Sequence, residues 1–272
     1  VRDPLRTLAR LALPLAALLT AAPASAHKAW MLPSSTVLSG GDVWVTFDAA
    51  VSNDLFVFEH VPMRLETLVV TGPDGQPVKP ENTATGKFRS TFDVHLTKPG
   101  TYRASVANEG LFATYKLNGE PKRWRGRPEA LERDVPKEAT DLKLTQSQQR
   151  TDTFVSLGKP SATALAPTGK GLELRADTHP NNLASGETAR FTLMLDGAPA
   201  PNVEVEVVRG GVRYRDAPGE IRLKTGADGS FSVKWPEPGM YWIGAEVQDD
   251  KATIPNARRR AAYNATVEVL PQ

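Results

Sequence analysis

Ser90-Thr-Phe-Asp-Val-His-Leu-Thr-Lys-Pro-Gly-Thr-Tyr102 and Gly229-Ser-Phe-Ser-Val-Lys-Trp-Pro-Glu-Pro-Gly-Met-Tyr241 are two versions of one pattern. In each, Phe and Val alternate with polar residues as on a strand with one buried face, Pro-Gly turns the chain, and a second strand opens at a tyrosine. Working outward, Leu38-Ser39-Gly40 leads into a strand ending at Phe47, and Ala184-Ser185-Gly186 leads into one beginning at Phe191. One architecture is therefore used twice.

The rest of the chain agrees. Val43 to Phe47, Leu65 to Val70, Val203 to Val208 and Tyr263 to Val269 alternate with period two, and Gly72-Pro-Asp-Gly75 and Gly226-Ala-Asp-Gly229 punctuate them. This predicts an all-β protein of two immunoglobulin-like or Greek-key β-sandwich domains in tandem. Residues 27–150 form the first, with a helical or irregular insertion at its end in the charged Pro128 to Gln149 stretch. Residues 151–170, with Pro160, Pro167, Gly158 and Gly169, read as a linker or connecting strand, and residues 171–272 as the second domain.

Val1 to Ala26 carries Arg2, Arg6 and Arg10, then an apolar run from Leu11 to Ala22, then Ala24-Ser25-Ala26. These are the three regions of a cleavable signal peptide, and the run is too short to stay as a membrane-spanning helix. A periplasmic protein beginning at His27, with no transmembrane segment, is the expectation. The 272 residues contain no cysteine, which excludes disulfides, thiolate metal sites and thiol nucleophiles. A net charge of +2 with interspersed signs leaves no nucleic-acid footprint, and Lys122 to Arg127 and Arg258 to Arg260 read as solvated loops. No phosphate loop, serine elbow or zinc-protease motif occurs, so the expectation is a protein that is not an enzyme.

Four histidines carry the remaining chemistry. Cleavage after Ala26 would give His27 two nitrogens, the α-amine and imidazole Nδ1, which close a chelate on Cu(II), Ni(II) or Co(II). One more imidazole would complete a histidine brace. His60 is the best candidate: alternation along Asp54-Leu-Phe-Val-Phe-Glu-His60 places Phe56, Phe58 and His60 on one face of a predicted strand, although a histidine capping the core fits the pattern equally. Asp54, Glu59 and Glu66 lie near enough to complete such a site or orient an imidazole. His179 sits at the domain junction, to orient the linker or add a ligand. His95 aligns with Lys234 in the second copy, and a position that accepts lysine faces water.

His-Lys-Ala-Trp-Met-Leu-Pro-Ser from His27, Phe-Glu-His at His60, Gly-Leu-Phe-Ala-Thr-Tyr-Lys-Leu, Arg-Trp-Arg-Gly, Thr-His-Pro-Asn-Asn-Leu at His179 and the closing Tyr-Asn-Ala-Thr-Val-Glu-Val-Leu-Pro resemble the exported DUF4198 proteins. The resemblance covers essentially all of the chain after Ala26. It implies a periplasmic component of nickel or cobalt uptake that binds a transition-metal ion beside a membrane transporter or outer-membrane receptor. His27, His60 and His179 lie in matching motifs; His95 does not. Two other readings stand beside metal binding: a β-sandwich module for a partner protein, receptor or glycan, with Trp124 as its first contact, and a copper oxidase acting on polysaccharide.

Overall fold

The computed structural model describes residues 27–272, so the expected signal peptide lies outside the described residues. In chain order the first half contains β1 (Lys28–Pro33), β2 (Val37–Leu38), β3 (Val43–Ser52), β4 (Val61–Pro62), β5 (Leu68–Thr71), β6 (Pro77–Val78), β7 (Glu81–Thr85), β8 (Ser90–Leu96), β9 (Gly100–Leu117), β10 (Glu120–Gly126) and β11 (Thr140–Leu157). The second half contains β12 (Leu172–Ala176), β13 (Thr188–Leu195), β14 (Ala198–Pro199), β15 (Glu204–Arg209), β16 (Ile221–Lys224), β17 (Ser230–Lys234), β18 (Gly239–Asp249) and β19 (Ala257–Val269). The all-β, immunoglobulin-like class read from the sequence is the class the chain adopts.

Three sheets form three layers. The central one runs β16-β15-β18-β19-β11-β9-β5-β6, with β10 on β9 and β2 on β11. Side-chain alternation gives it two buried faces. Tyr102, Ala104, Val106 and Val155 pack against Val45, Phe47, Phe92 and Val94 of the β1-β3-β8-β7 sheet. On the opposite face Phe154, Tyr241, Ile243, Tyr263 and Ala265 pack against Leu174, Phe191, Leu193, Phe231 and Val233 of the β12-β13-β14 sheet and its added β17. Each wholly buried apolar side chain is worth roughly 1.5–3 kcal/mol, so these two cores carry the stability.

The repeated pattern occupies equivalent places. Phe47 stacks on Phe92 with ring centroids 4.7 Å apart, and Phe191 meets Phe231 at 5.7 Å. Tyr102 Oη donates to Lys98 O at 2.9 Å and accepts from Lys98 N at 2.8 Å, and Tyr241 Oη donates to Glu237 O at 2.7 Å. Each is a tyrosine corner, the hydroxyl tying its strand back to the turn before it. Gly100 and Gly239 hold φ of 124° and 138° at these turns, where a side chain would be strained.

The charged 128–149 stretch holds two short helical turns, Pro128–Ala130 and Leu131–Asp134, and from Thr140 it is strand. Two other readings need correction. The linker expected over 151–170 is strand through Leu157, because β11 pairs antiparallel with β9 and parallel with β19 along the same residues. The two cores therefore share a sheet instead of hanging on a flexible tether. Arg258 to Arg260 belong to β19, and Arg259, 5% exposed, is held between Asp249 and Asp196 at 2.5 Å each.

Candidate functional site

β3 is the strand that assembles the site. Along one edge it pairs with β1, with Lys28 opposite Ser52. Along the other edge it pairs with β8 as far as Ser90 opposite Ala49, and beyond that with β4, with Val61 opposite Val51. His27 precedes β1 and His60 precedes β4, so the two residues flank the end of β3 from opposite sides. Past Ser52 the chain drops away into a loop, and the two imidazoles close over it with ring centroids 4.2 Å apart and planes 15° from parallel.

That loop replaces the strand expected from Asp54 to His60. Its backbone amides are captured locally: Glu59 Oε1 accepts from Asn53 N at 2.7 Å and Asp54 N at 2.9 Å, and Asp54 O accepts from Val57 N at 3.1 Å. Phe56 sits in the left-handed region at φ 63°, which breaks any period-two alternation. Underneath, Trp30 Nε1 donates to Ser52 Oγ at 2.8 Å, and Ser52 Oγ donates to Asp54 O at 2.7 Å. Trp30, Ala50 and Leu55 pack with Val208 and Trp242 of the second half, and Trp242 Nε1 donates to Ala29 O at 2.9 Å. β1 is thus pinned from both halves, which fixes where His27 emerges.

Glu59, beside His60, is a loop clamp: the Asp54 amide first, then that of Asn53, holds its carboxyl below the usual range, and both bonds fall on Oε1. The remaining candidates fall elsewhere. His179 is engaged at both nitrogens. Its Nδ1 accepts from Asn181 N at 3.1 Å, so the proton lies on Nε2, which faces Ser161 O at 3.1 Å and Thr101 Oγ1 at 3.0 Å. Burial pushes its pKa down against the opposing pull of Ser161 O, and the neutral ring ties β9 to the segment after β11. Trp124 is half-buried over Gly126, with Nε1 donating to Asp134 Oδ2 at 3.2 Å.

His27 and His60 are both exposed. Face-to-face rings carry their nitrogen lone pairs in nearly parallel planes, so a shared ion requires one ring to turn about its Cβ–Cγ bond. At an exposed site little resists that rotation. Among the described residues no cluster of three or more His, Asp or Glu side chains is placed to hold a metal ion. Two imidazoles are what the side chains supply, and any third nitrogen must come from the backbone. No helix of the described residues is long and apolar enough to cross a membrane.

No curated protein matches the chain. Among solved structures, the D0-D1 domain of Intimin aligns at 14% identity over 88% of this chain and 97% of its own, with a TM-score of 0.22. Fibronectin(III)-like modules of Clostridium thermocellum CbhA align at 14% over 89% and 94%, with a TM-score of 0.20. The mouse nectin-like molecule 4 ectodomain aligns at 10% over 87% and 97%, with a TM-score of 0.19. These superpositions are poor, and the β architecture stands on the strand pairing itself. Residues 24–249 match the model of DUF4198, a domain of unknown function, and the chain belongs to that family.

Proposed function

We propose that the protein is an exported transition-metal carrier, serving uptake or homeostasis, that takes Cu(II), Ni(II) or Co(II) at His27 and His60 beside a membrane transporter or receptor. The observation that supports it is the pairing of the two rings at 4.2 Å. Processing to His27 would add the α-amine, giving one chelating residue and one monodentate imidazole. Three nitrogens suit late transition metals, with Cu(II) bound most tightly in the Irving–Williams order. Both imidazoles must be neutral to bind, so acid should release the ion.

The test is calorimetry on protein beginning at His27, offered each ion in turn. One equivalent of uptake is expected, weakened at least tenfold by His60→Ala and again by one residue appended before His27. Absence of stoichiometric uptake, or uptake indifferent to both changes, removes the reading. His179→Ala leaves the stoichiometry unchanged, because that side chain ties β9 to the segment after β11.

A further inference from the structure

On β3 the even-numbered residues point away from the first core. Near Ala50 they are buried under the 53–59 loop and Trp30, but at the other end the face is bare. There Trp44 stands 42% exposed, opposite His95 on β8, and the two rings stack with centroids 4.3 Å apart and planes 3° from parallel. His95 Nε2 is held in turn by Asp42 Oδ1 at 2.8 Å. β1 leaves β3 at Pro33 opposite Phe47, so among the described residues no strand pairs beside Trp44 on its far side.

The second copy shows that the fold does not ask for this. Its equivalent pair is Thr188 opposite Lys234, both exposed and polar, and Gly186 stands where Asp42 does. An aromatic ring, a second ring that orients it and a carboxylate that anchors the second ring occur only in the first copy.

From this arrangement we infer that the outer face of β3 and β8 is a glycan-binding platform, with Trp44 as the stacking ring and a neutral or amino-sugar chain as ligand. The flat indole receives the C–H face of a pyranose. Around it the side chains are hydrogen-bonding and not apolar, unlike the greasy centre of a protein-binding hot spot. Thr46 Oγ1 donates to Asp93 Oδ1 at 2.6 Å and Asn82 Nδ2 to Asp93 Oδ2 at 2.8 Å, leaving an ionised carboxylate with further lone pairs to accept sugar hydroxyls. Those hydrogen bonds, Thr46 first, keep the Asp93 carboxyl below its ordinary range. Asp42, Asp93 and Glu81 make the face acidic, which repels uronates, phosphorylated glycans and nucleic acids. The platform is separate from the histidine pair, since the length of β3 between them is roughly 25 Å.

Affinity electrophoresis tests this, with gels containing hydroxyethylcellulose, glycol chitosan or polygalacturonate, followed by calorimetry with cellohexaose and chitohexaose. The protein should be retarded by a neutral or amino-sugar polymer, and Trp44→Ala should abolish the retardation and weaken hexasaccharide binding at least tenfold. Trp44→Phe, which keeps a ring, retains part of it. The double change Trp44→Thr with His95→Lys copies the second unit, so it should fold as before and not bind. No retardation by either neutral or amino-sugar polymer, retardation only by polygalacturonate, or binding that survives in Trp44→Ala overturns the inference.

Discussion

The two copies place the same Phe, Val, Pro-Gly and Tyr in the same structural roles, yet their first strands solve burial in opposite ways. In the first copy Trp30 pairs with Ala50, wholly buried and sealed against Trp242 by apolar contact. The matching position in the second is Glu173, opposite Met194 and 2% exposed. Its carboxylate accepts from Thr168 N and Oγ1, Gly169 N and Lys170 N, with Arg150 at 3.6 Å. A buried charge is tolerated there because a folded-over loop donates to it at every side. Phe47, Phe92, Val94 and Tyr102 of the first core recur as Phe191, Phe231, Val233 and Tyr241 of the second, whereas the residues pointing the other way differ in kind.

The sharpest way to break this comparison is Trp30→Ala, which empties the seam between the halves and removes the indole donor to Ser52 Oγ. A loss of about 3–5 kcal/mol is expected from denaturant unfolding. The two turn glycines come next. A Cβ at Gly100 would lie 2.6 Å from Pro73 Cβ and 2.6 Å from Ser161 Oγ, whereas at Gly239 the nearest atom is Arg209 Nε at 3.6 Å. Gly100→Ala should therefore cost about 1–3 kcal/mol more than Gly239→Ala, the backbone strain being common to both. Equal losses would mean the first corner relaxes freely.

Smaller still is the pair Tyr102→Phe and Tyr241→Phe, about 1 kcal/mol each by thermal unfolding, with Tyr102 the larger because its hydroxyl makes two bonds to Lys98 instead of one. The smallest effect concerns pH. His179 has its pKa depressed in the fold, so the unfolded chain binds its proton first as pH falls. Its contribution is complete above the unfolded histidine range, near pH 6.5, and fades below it. His179→Gln should flatten the stability profile between about pH 7 and 5 relative to the parent.

Much of this was legible in the chain. Phe92, Val94, Tyr102 and their counterparts in the second copy match in sequence because a buried face and a corner constrain residue type at fixed spacing. The course of β11 was not. Thr140 to Gln149 is polar because much of its length is exposed or half-buried, and parallel pairing with β19 joins residues so distant that no local pattern announces it. The histidine pair is legible only in part. Asp54 to Glu59 alternates like a strand, but Glu59 captures the amides of Asn53 and Asp54 and closes a loop that still delivers His60 to the end of β3. Trp44 carries a signal of its own: it matches Thr188 of the second copy, which sets a large ring at an outward position.

The shared central sheet has a consequence for how the molecule is made. β11 is completed on one side by β9, which precedes it, and on the other by β19, the last long strand. During synthesis the early strands can gather around Phe47 and Phe92, but most of one flank of their sheet stays unzipped until β19 arrives. Removing β19 should therefore unsettle the distant first core as surely as the second.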